Sequence, residues 1–414
     1  MKISFGMAIS VAGAFATSAQ AASLDPTFGS AGITSTAFGS YGAAARIVIQ
    51  PDGRMVSAGQ DATGDFTLAR YTSSGQLDTS FNGTGKVTTT PSGSCPGQAH
   101  ALALQADGKI VVAGTSCPNF NSTRNFTIYR YNTDGSLDST FGSSGKATIN
   151  FYAGASEAYA VAVQGNSIWV AGYAGSSFAL ARLTSTGTLD YSFGSGSGSV
   201  TSAVGTGSAV ANSLVIQADG KPVLAGYASS TGTVFALTRY TTTGALDTTF
   251  GTGGKVLTHV GGTFSGNASI ATSLAVQGDG NLVAAGYANS TSNGHYQLAA
   301  VRYTSTGALD SSFGLGSGKV LTPIGNSDAI GNDVAIDVNG GIIIGGYAST
   351  GSYRQLTLNR YDASGNQDDS FGPVVTAVAS TNAAVQGLAI QSDGKIVVAG
   401  YGNSPTAFVI ARYQ

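Results

Sequence analysis

Charged residues are scarce in this 414-residue chain, where Asp, Glu, Lys and Arg together make up 10% of the sequence. Glu157 is the only glutamate. Long surface helices are therefore disfavoured, because their solvent faces are normally built from Glu, Lys and Arg. The net charge of −2 also argues against a nucleic-acid partner, since binding phosphates requires a basic face.

Long apolar runs are absent beyond the N-terminus. Residues 3–16 are almost wholly apolar or small, follow Lys2, and precede the small-x-small sequence Ala19-Gln20-Ala21. This pattern predicts a signal peptide over residues 1–21 and export to the periplasm or the extracellular space; a buried N-terminal helix is the alternative. We expect no membrane span, because no later stretch of about 18 apolar residues exists, and a single domain over residues 22–414.

Glycine, in contrast, is abundant, with 60 residues, and three sequence elements recur around it. The first is Leu-Asp-x-x-Phe, which begins at Leu24, Leu77, Leu137, Leu189, Leu246 and Leu309, with a degenerate copy at Gln367. The second is an apolar segment ending in Gln, a tight turn that is usually Asp-Gly, and an apolar segment ending in Gly. The third is an alternating segment that ends in Arg, usually followed by Tyr: Arg70, Arg130, Arg182, Arg239, Arg302, Arg360 and Arg412.

Each repeat predicts four β-strands, because Asp-Gly between alternating apolar runs indicates a hairpin. One such sheet cannot bury both faces alone, and repeats of this length stack as propeller blades. Gln414 directly follows a third strand, whereas residues 24–37 supply a spare fourth strand. We therefore predict an all-β, seven-bladed β-propeller with four-stranded blades, whose N-terminal strand completes the last blade and covers its edge.

Two of these motifs carry a family resemblance. Leu-Asp-x-x-Phe-Gly, and Asp-Gly-Lys-Ile-Val-Val-Ala-Gly at residues 107–114, resemble the hallmarks of the delta-60 repeat family of secreted bacterial proteins. The resemblance covers residues 24–414. It implies a propeller fold, and it implies no particular activity.

Residues that recur in every repeat are interpreted as scaffold. We expect each third-strand Arg to pair with the Asp of its own blade, and the Phe of Leu-Asp-x-x-Phe to lie in the core. Trp169 is expected to fill the core as well. The basic residues Lys2, Arg46, Arg124 and Arg354 fall outside the repeat.

Two sets of residues are candidate ligand contacts. In five blades a tyrosine is predicted to start the loop after the second strand: Tyr173, Tyr227, Tyr287, Tyr347 and Tyr401. There it would suit stacking on a sugar or capture of a peptide. Packing between blades is the alternative. The second set stands five residues before the Gln position of each inner strand: Ala45, His100, Tyr159, Asn212, Thr272, Asn332 and Gln386. We predict ligand binding by its polar and aromatic members, chiefly His100, Tyr159, Asn212, Asn332 and Gln386; solvated strand ends are the alternative.

Catalytic signals are weak, since neither His-Glu-x-x-His nor Gly-x-Ser-x-Gly occurs. We expect no cofactor and no bound metal. The predicted function is a monomeric, exported binding module for a glycan, peptide or cell-envelope ligand. A hydrolase or lyase using His100, Glu157 and Asp333 at the channel mouth is one alternative, and a structural surface or matrix protein is another.

Cysteine occurs only at Cys95 and Cys117. An even pair in an exported protein predicts a disulfide bond. Both residues are predicted to lie in loops on the same face of blade two, next to neighbouring strands. Two free buried thiols are the alternative.

Overall fold

The computed structural model describes residues 22–91, 95–117, 123–262, 268–290, 294–402 and 406–414. These residues form 28 β-strands in seven four-stranded antiparallel sheets, together with a three-residue 3₁₀-helix, Gly194–Gly196. No helix in these ranges is long and apolar enough to cross a membrane. The predicted signal peptide lies outside the described residues.

Each sheet is one blade, and its strands run outward from the centre. The innermost strands are β2 (Gly42–Ile49), β6 (Gln98–Leu104), β10 (Ser156–Gln164), β14 (Ala209–Ile216), β18 (Ser269–Val276), β22 (Ala329–Ile336) and β26 (Ala384–Ile390). The second strands are β3 (Met55–Asp61), β7 (Ile110–Ser116), β11 (Ser167–Ala174), β15 (Pro222–Ser230), β19 (Leu282–Asn289), β23 (Ile342–Thr350) and β27 (Ile396–Gly402). The third strands are β4 (Phe66–Tyr71), β8 (Asn125–Tyr131), β12 (Ser177–Leu183), β16 (Gly232–Arg239), β20 (Tyr296–Tyr303), β24 (Tyr353–Tyr361) and β28 (Ala407–Tyr413). The outermost strands are β5 (Lys86–Thr89), β9 (Lys146–Ile149), β13 (Ser199–Ser202), β17 (Lys255–Thr258), β21 (Lys319–Thr322), β25 (Val374–Thr376) and, in blade seven, β1 (Ile33–Thr36).

The innermost strands of neighbouring blades contact one another, from blade one around to blade seven and back, and they surround a central channel. The N-terminal strand β1 pairs with β28, with Ile33 opposite Ala411 and Thr36 opposite Phe408. The predicted seven-bladed propeller and its closure by the N-terminal strand are therefore confirmed.

The hydrophobic core is divided into seven clusters, each shared by two adjacent blades. Phe28, Tyr71 and Phe408, for example, are buried together between blades seven and one. Trp169 is buried in the cluster between blades three and four. The Phe of Leu-Asp-x-x-Phe is buried in every blade, as predicted. Because no blade covers its own faces, the sheets are stable only as a ring.

In six of the seven blades the recurring arginine donates a hydrogen bond to a carbonyl of the next blade. In all seven blades its guanidinium lies 2.7–2.9 Å from the aspartate predicted to be its partner. The same guanidinium lies 4.5–5.5 Å from the ring centroid of the Phe that follows that aspartate. Arg239 also donates a hydrogen bond to the Ser305 carbonyl in the next blade (2.6 Å). The repeat motif is therefore a structural contact, as its recurrence indicates.

Cys95 and Cys117 form a disulfide bond with a Cα–Cα distance of 5.5 Å. Cys95 precedes β6 and Cys117 follows β7, the two innermost strands of blade two. The predicted bridge is confirmed, and it joins two loops on the face that carries the candidate site.

Candidate functional site

Every innermost strand contains one β-bulge, at which the pairing register shifts by one residue. A bulge bends its strand and redirects a side chain. The bulged residues are the seven that stand five positions before the Gln position: Ala45, His100, Tyr159, Asn212, Thr272, Asn332 and Gln386. All seven line one cavity of about 690 Å³ at the mouth of the central channel.

The glycine in each second strand makes the bulge possible. Gly226 faces the bulge of blade four, and a Cβ atom on it would lie 1.9 Å from the carbonyl oxygen of Val210. The backbones can approach this closely only because glycine has no side chain. The same clash, at 1.8–1.9 Å from a carbonyl oxygen, would occur in the other six blades at Gly59, Gly114, Gly172, Gly286, Gly346 and Gly400.

The five candidate tyrosines lie within the second strands, so the prediction that they start loops is wrong. Strand pairing continues past the glycine, and Tyr227, for example, is paired with both Val210 and Phe235. All five side chains are half-buried. Tyr173, Tyr227, Tyr287 and Tyr347 line the cavity, whereas Tyr401 occupies the equivalent position in blade seven and is not among the lining residues. Ligand binding by these tyrosines and by the bulged residues stays a prediction.

The bulged residues of blades four to six also join neighbouring blades. Asn212 Nδ2 and Thr272 Oγ1 each donate to the carbonyl that precedes the next blade's bulge, at 2.8 Å. Asn332 Nδ2 makes the same bond at 2.7 Å. These donors therefore stabilise the ring, although the residues line the cavity.

Blades two and three place a polar aromatic cluster at the mouth. Glu157 Oε1 accepts a hydrogen bond from Arg124 Nη1 (2.6 Å), and its Oε2 accepts one from Tyr159 Oη (2.9 Å). His100 Nε2 lies 4.0 Å from Glu157 Oε2, and the rings of His100 and Tyr159 are 4.7 Å apart. Burial alone would raise the pKa of Glu157, but the hydrogen bonds from Arg124 and Tyr159 outweigh burial and lower that pKa. Glu157 is therefore an ionised partner of Arg124.

His100 and Tyr173, which lie close to Glu157, are neutral near pH 7. Burial lowers the pKa of His100 to about 4, even though the Glu157 carboxylate favours the charged imidazole. Burial, followed by the charge of Glu157, raises the pKa of Tyr173 to about 12. A general acid or base works best with a pKa near the operating pH. Neither His100 nor Tyr173 therefore has a pKa suited to acid–base catalysis at neutral pH.

Asp333 makes no hydrogen bond to that cluster among the residues described. It lines a second cavity of about 220 Å³ further along the channel, to which His100 and Glu157 do not contribute. Its carboxylate accepts hydrogen bonds from Ser273 Oγ (2.7 Å) and from the backbone N–H of Leu388 (2.8 Å). The structure thus brings two of the three predicted acid–base residues together and uses the third to join blades five, six and seven.

Three arginines at the mouth were not predicted as site residues. Arg46 lines both cavities, Arg124 pairs with Glu157, and the Arg354 guanidinium lies 4.5 Å from the centroid of the Tyr347 ring. The signal that could have found them is their departure from the repeat. Every basic residue outside the repeat, apart from Lys2, lies at this end of the channel.

Six segments of the chain match one β-propeller family. The family is described as "Domain of unknown function (DUF5122) beta-propeller", and the matched residues are 50–81, 105–141, 166–193, 217–250, 277–313 and 391–414. Each segment contains the Arg-containing third strand of one repeat. The resemblance to delta-60 repeats is thus supported at the level of a related β-propeller family.

Solved structures show the same fold at low sequence identity. Virginiamycin B lyase from Staphylococcus aureus is 10% identical, with a TM-score of 0.54 over 92% of this chain and 98% of that one. A protein of unknown function from Dyadobacter fermentans is also 10% identical, with a TM-score of 0.50 over 92% of this chain and 98% of that one. No curated protein sequence matches the chain. At this identity the likeness concerns the fold alone.

Proposed function

We propose that this propeller is an exported binding protein that holds an oligosaccharide at the mouth of its central channel. The observation that carries the proposal is the convergence of all seven bulged residues and four tyrosines on one cavity of about 690 Å³. That volume lies within the range of small-molecule sites. A tyrosine combines an apolar ring face with a hydroxyl group, which matches the apolar C–H face and the polar edge of a sugar ring.

A saccharide fits this site better than an extended peptide does. Peptides commonly bind by adding a strand to an exposed sheet edge, where they need a regular row of free N–H and C=O groups. Each innermost strand is interrupted by a bulge at the mouth, and in blades five to seven the carbonyl before that bulge is already bonded to the preceding blade. The groups that remain available to a ligand are therefore side chains arranged around the cavity.

The disulfide between Cys95 and Cys117 supports export, because such bonds persist mainly in oxidising compartments. We therefore expect the ligand to be a saccharide of the periplasm or the cell exterior.

A glycan array probed with the mature chain, residues 22–414, tests the proposal. Tyr227→Ala removes one half-buried ring from the cavity, and we expect it to weaken retention of the bound glycan at least tenfold. Tyr191→Ala is the matched control, because Tyr191 is 67% exposed and does not line the cavity. Melting temperatures of both variants separate lost binding from lost folding. Equal retention by the two folded variants, or no retained glycan at all, would contradict the proposal.

A further inference from the structure

We propose that the bound saccharide is acidic, and that Arg46 binds its carboxylate at the base of the mouth. This inference rests on the proposed function and specifies its ligand class.

The fold does not require an arginine at position 46. Arg46 directly follows the bulge of blade one. The other blades carry smaller residues at the same place: Ala101, Ala160, Ser213, Ser273, Asp333 and Gly387. Only Ser273, Ser213 and Asp333 among them are polar, and each takes part in hydrogen bonds between innermost strands. A long cation is thus a particular feature of blade one.

Hydrogen bonds hold the Arg46 guanidinium in place and leave some of its N–H donors unused. Its Nη1 donates to the carbonyl of Ala45 (3.0 Å) and to the carbonyl of Gln386. Arginine carries five N–H donors, and within the described ranges its Nε and Nη2 make no hydrogen bond and no carboxylate approaches it to ion-pair distance. Arg46 lines both cavities, so this residue borders the candidate site.

Most arginines in this chain are already neutralised. Nine of the eleven pair with a carboxylate: Arg54, Arg70, Arg124, Arg130, Arg182, Arg239, Arg302, Arg360 and Arg412. The two that pair with none, among the residues described, are Arg46 and Arg354, and both lie at the channel mouth. Arg354 rests on the Tyr347 ring, 4.5 Å from its centroid.

The acidic groups nearby are already engaged. Glu157 is held by Arg124 and Tyr159, as described above, and Asp333 by Ser273 and backbone N–H groups. At the rim, Asp328 accepts a bond from the Tyr296 N–H (2.9 Å) and lies 3.4 Å from His295. An incoming carboxylate would therefore meet free guanidinium donors, which bind carboxylates in a planar, two-point geometry.

The inference is tested by measuring the affinities of three matched trisaccharides with titration calorimetry. The probes are trigalacturonate, its methyl ester, in which only the charge is removed, and a sulfated galactotriose. We expect trigalacturonate to bind at least tenfold more tightly than the ester. Arg46→Gln should abolish that preference, because the tyrosine contacts that remain do not distinguish the acid from its ester.

Arg54→Gln is the control variant. It makes the same charge change in the same blade, but Arg54 is 44% exposed in the hairpin that joins β2 to β3, at the opposite end of the channel. If Arg46→Gln does not fold, Arg46→Lys, which keeps the charge but lacks the planar fork, should still lower the preference. Equal affinity for the ester and the acid would overturn the inference and leave the proposed function standing. Tighter binding of the sulfated probe would overturn the carboxylate assignment, and no binding of any trisaccharide would overturn both proposals.

Discussion

Replacing Gly226 with alanine tests the link between the second-strand glycine and the bulge. The new Cβ would lie 1.9 Å from the Val210 carbonyl oxygen and 2.9 Å from the Ala211 Cα. Both atoms belong to the backbone, so the clash can be relieved only by moving β14 away from β15. Overpacking of this kind destabilises a protein by about 1–3 kcal/mol, and we expect the upper end of that range. With an unfolding entropy of about 2 cal/mol/K per residue, roughly 3 kcal/mol lowers the melting temperature of a chain of this length by about 4 °C.

Gly278→Ala provides the matched control for that measurement. Gly278 lies in a turn, its φ is not in the left-handed region, and a Cβ on it would meet no atom within 4 Å. Alanine there should be neutral or stabilise slightly, by restricting the unfolded chain. Differential scanning calorimetry of both variants gives the comparison. If the two proteins melt within about 1 °C of each other, the bulge does not depend on the glycine and the structural reasoning fails.

Two further predictions concern closure of the ring. Deleting residues 22–37 should expose the edge of β28 and cause self-association, which size-exclusion chromatography would detect; a monodisperse deletion variant would argue against closure by β1. The second concerns pH: hydrogen bonds from Thr27, with Lys395 and Arg412, hold the pKa of Asp25 well below its usual range despite burial. This stabilisation is complete above the unfolded pKa of about 3.9 and is lost as pH falls below it. Urea midpoints at pH 6 and pH 3 should therefore differ less for Asp25→Asn than for the natural chain, and an unchanged difference would refute the assignment.

The fold could be predicted because each repeat carries its own contacts with the next blade. Seven copies of an Arg, an Asp and a Phe at fixed spacing specify seven similar joints, six of which include a hydrogen bond from the Arg to the next blade. The spare strand at residues 24–37 specifies how the ring closes. The pairing of Arg412 with Asp25 follows from aligning the first copy of the motif with the last third strand, and the structure contains it at 2.9 Å.

The site was less predictable because a bulge leaves little trace in one sequence. The extra residue at position 212 shifts the alternation of apolar and polar residues in β14 by one place. In so short a strand, such a shift looks the same as an irregular strand end. For a related reason, the second strand of blade four is predicted to end before Tyr227, which is too early. The preceding glycine is typical of a strand end unless the bulge opposite it is known. Arg46 stood out as an exception to the repeat, but its surroundings depend on Gln386, which comes 340 positions later in the sequence.

The pairing of β1 with β28 also makes closure of the ring depend on contacts between distant parts of the sequence. Asp25 and Arg412 are 387 positions apart, so β1 can find its partner only after the chain that lies between them has been synthesised. Contacts of such sequence separation form slowly, because the intervening chain must first be brought together. Until then blade seven lacks its outer strand and the facing surfaces of blades one and seven are uncovered. Any state in which β1 is unpaired therefore presents the edge of β28 to other chains.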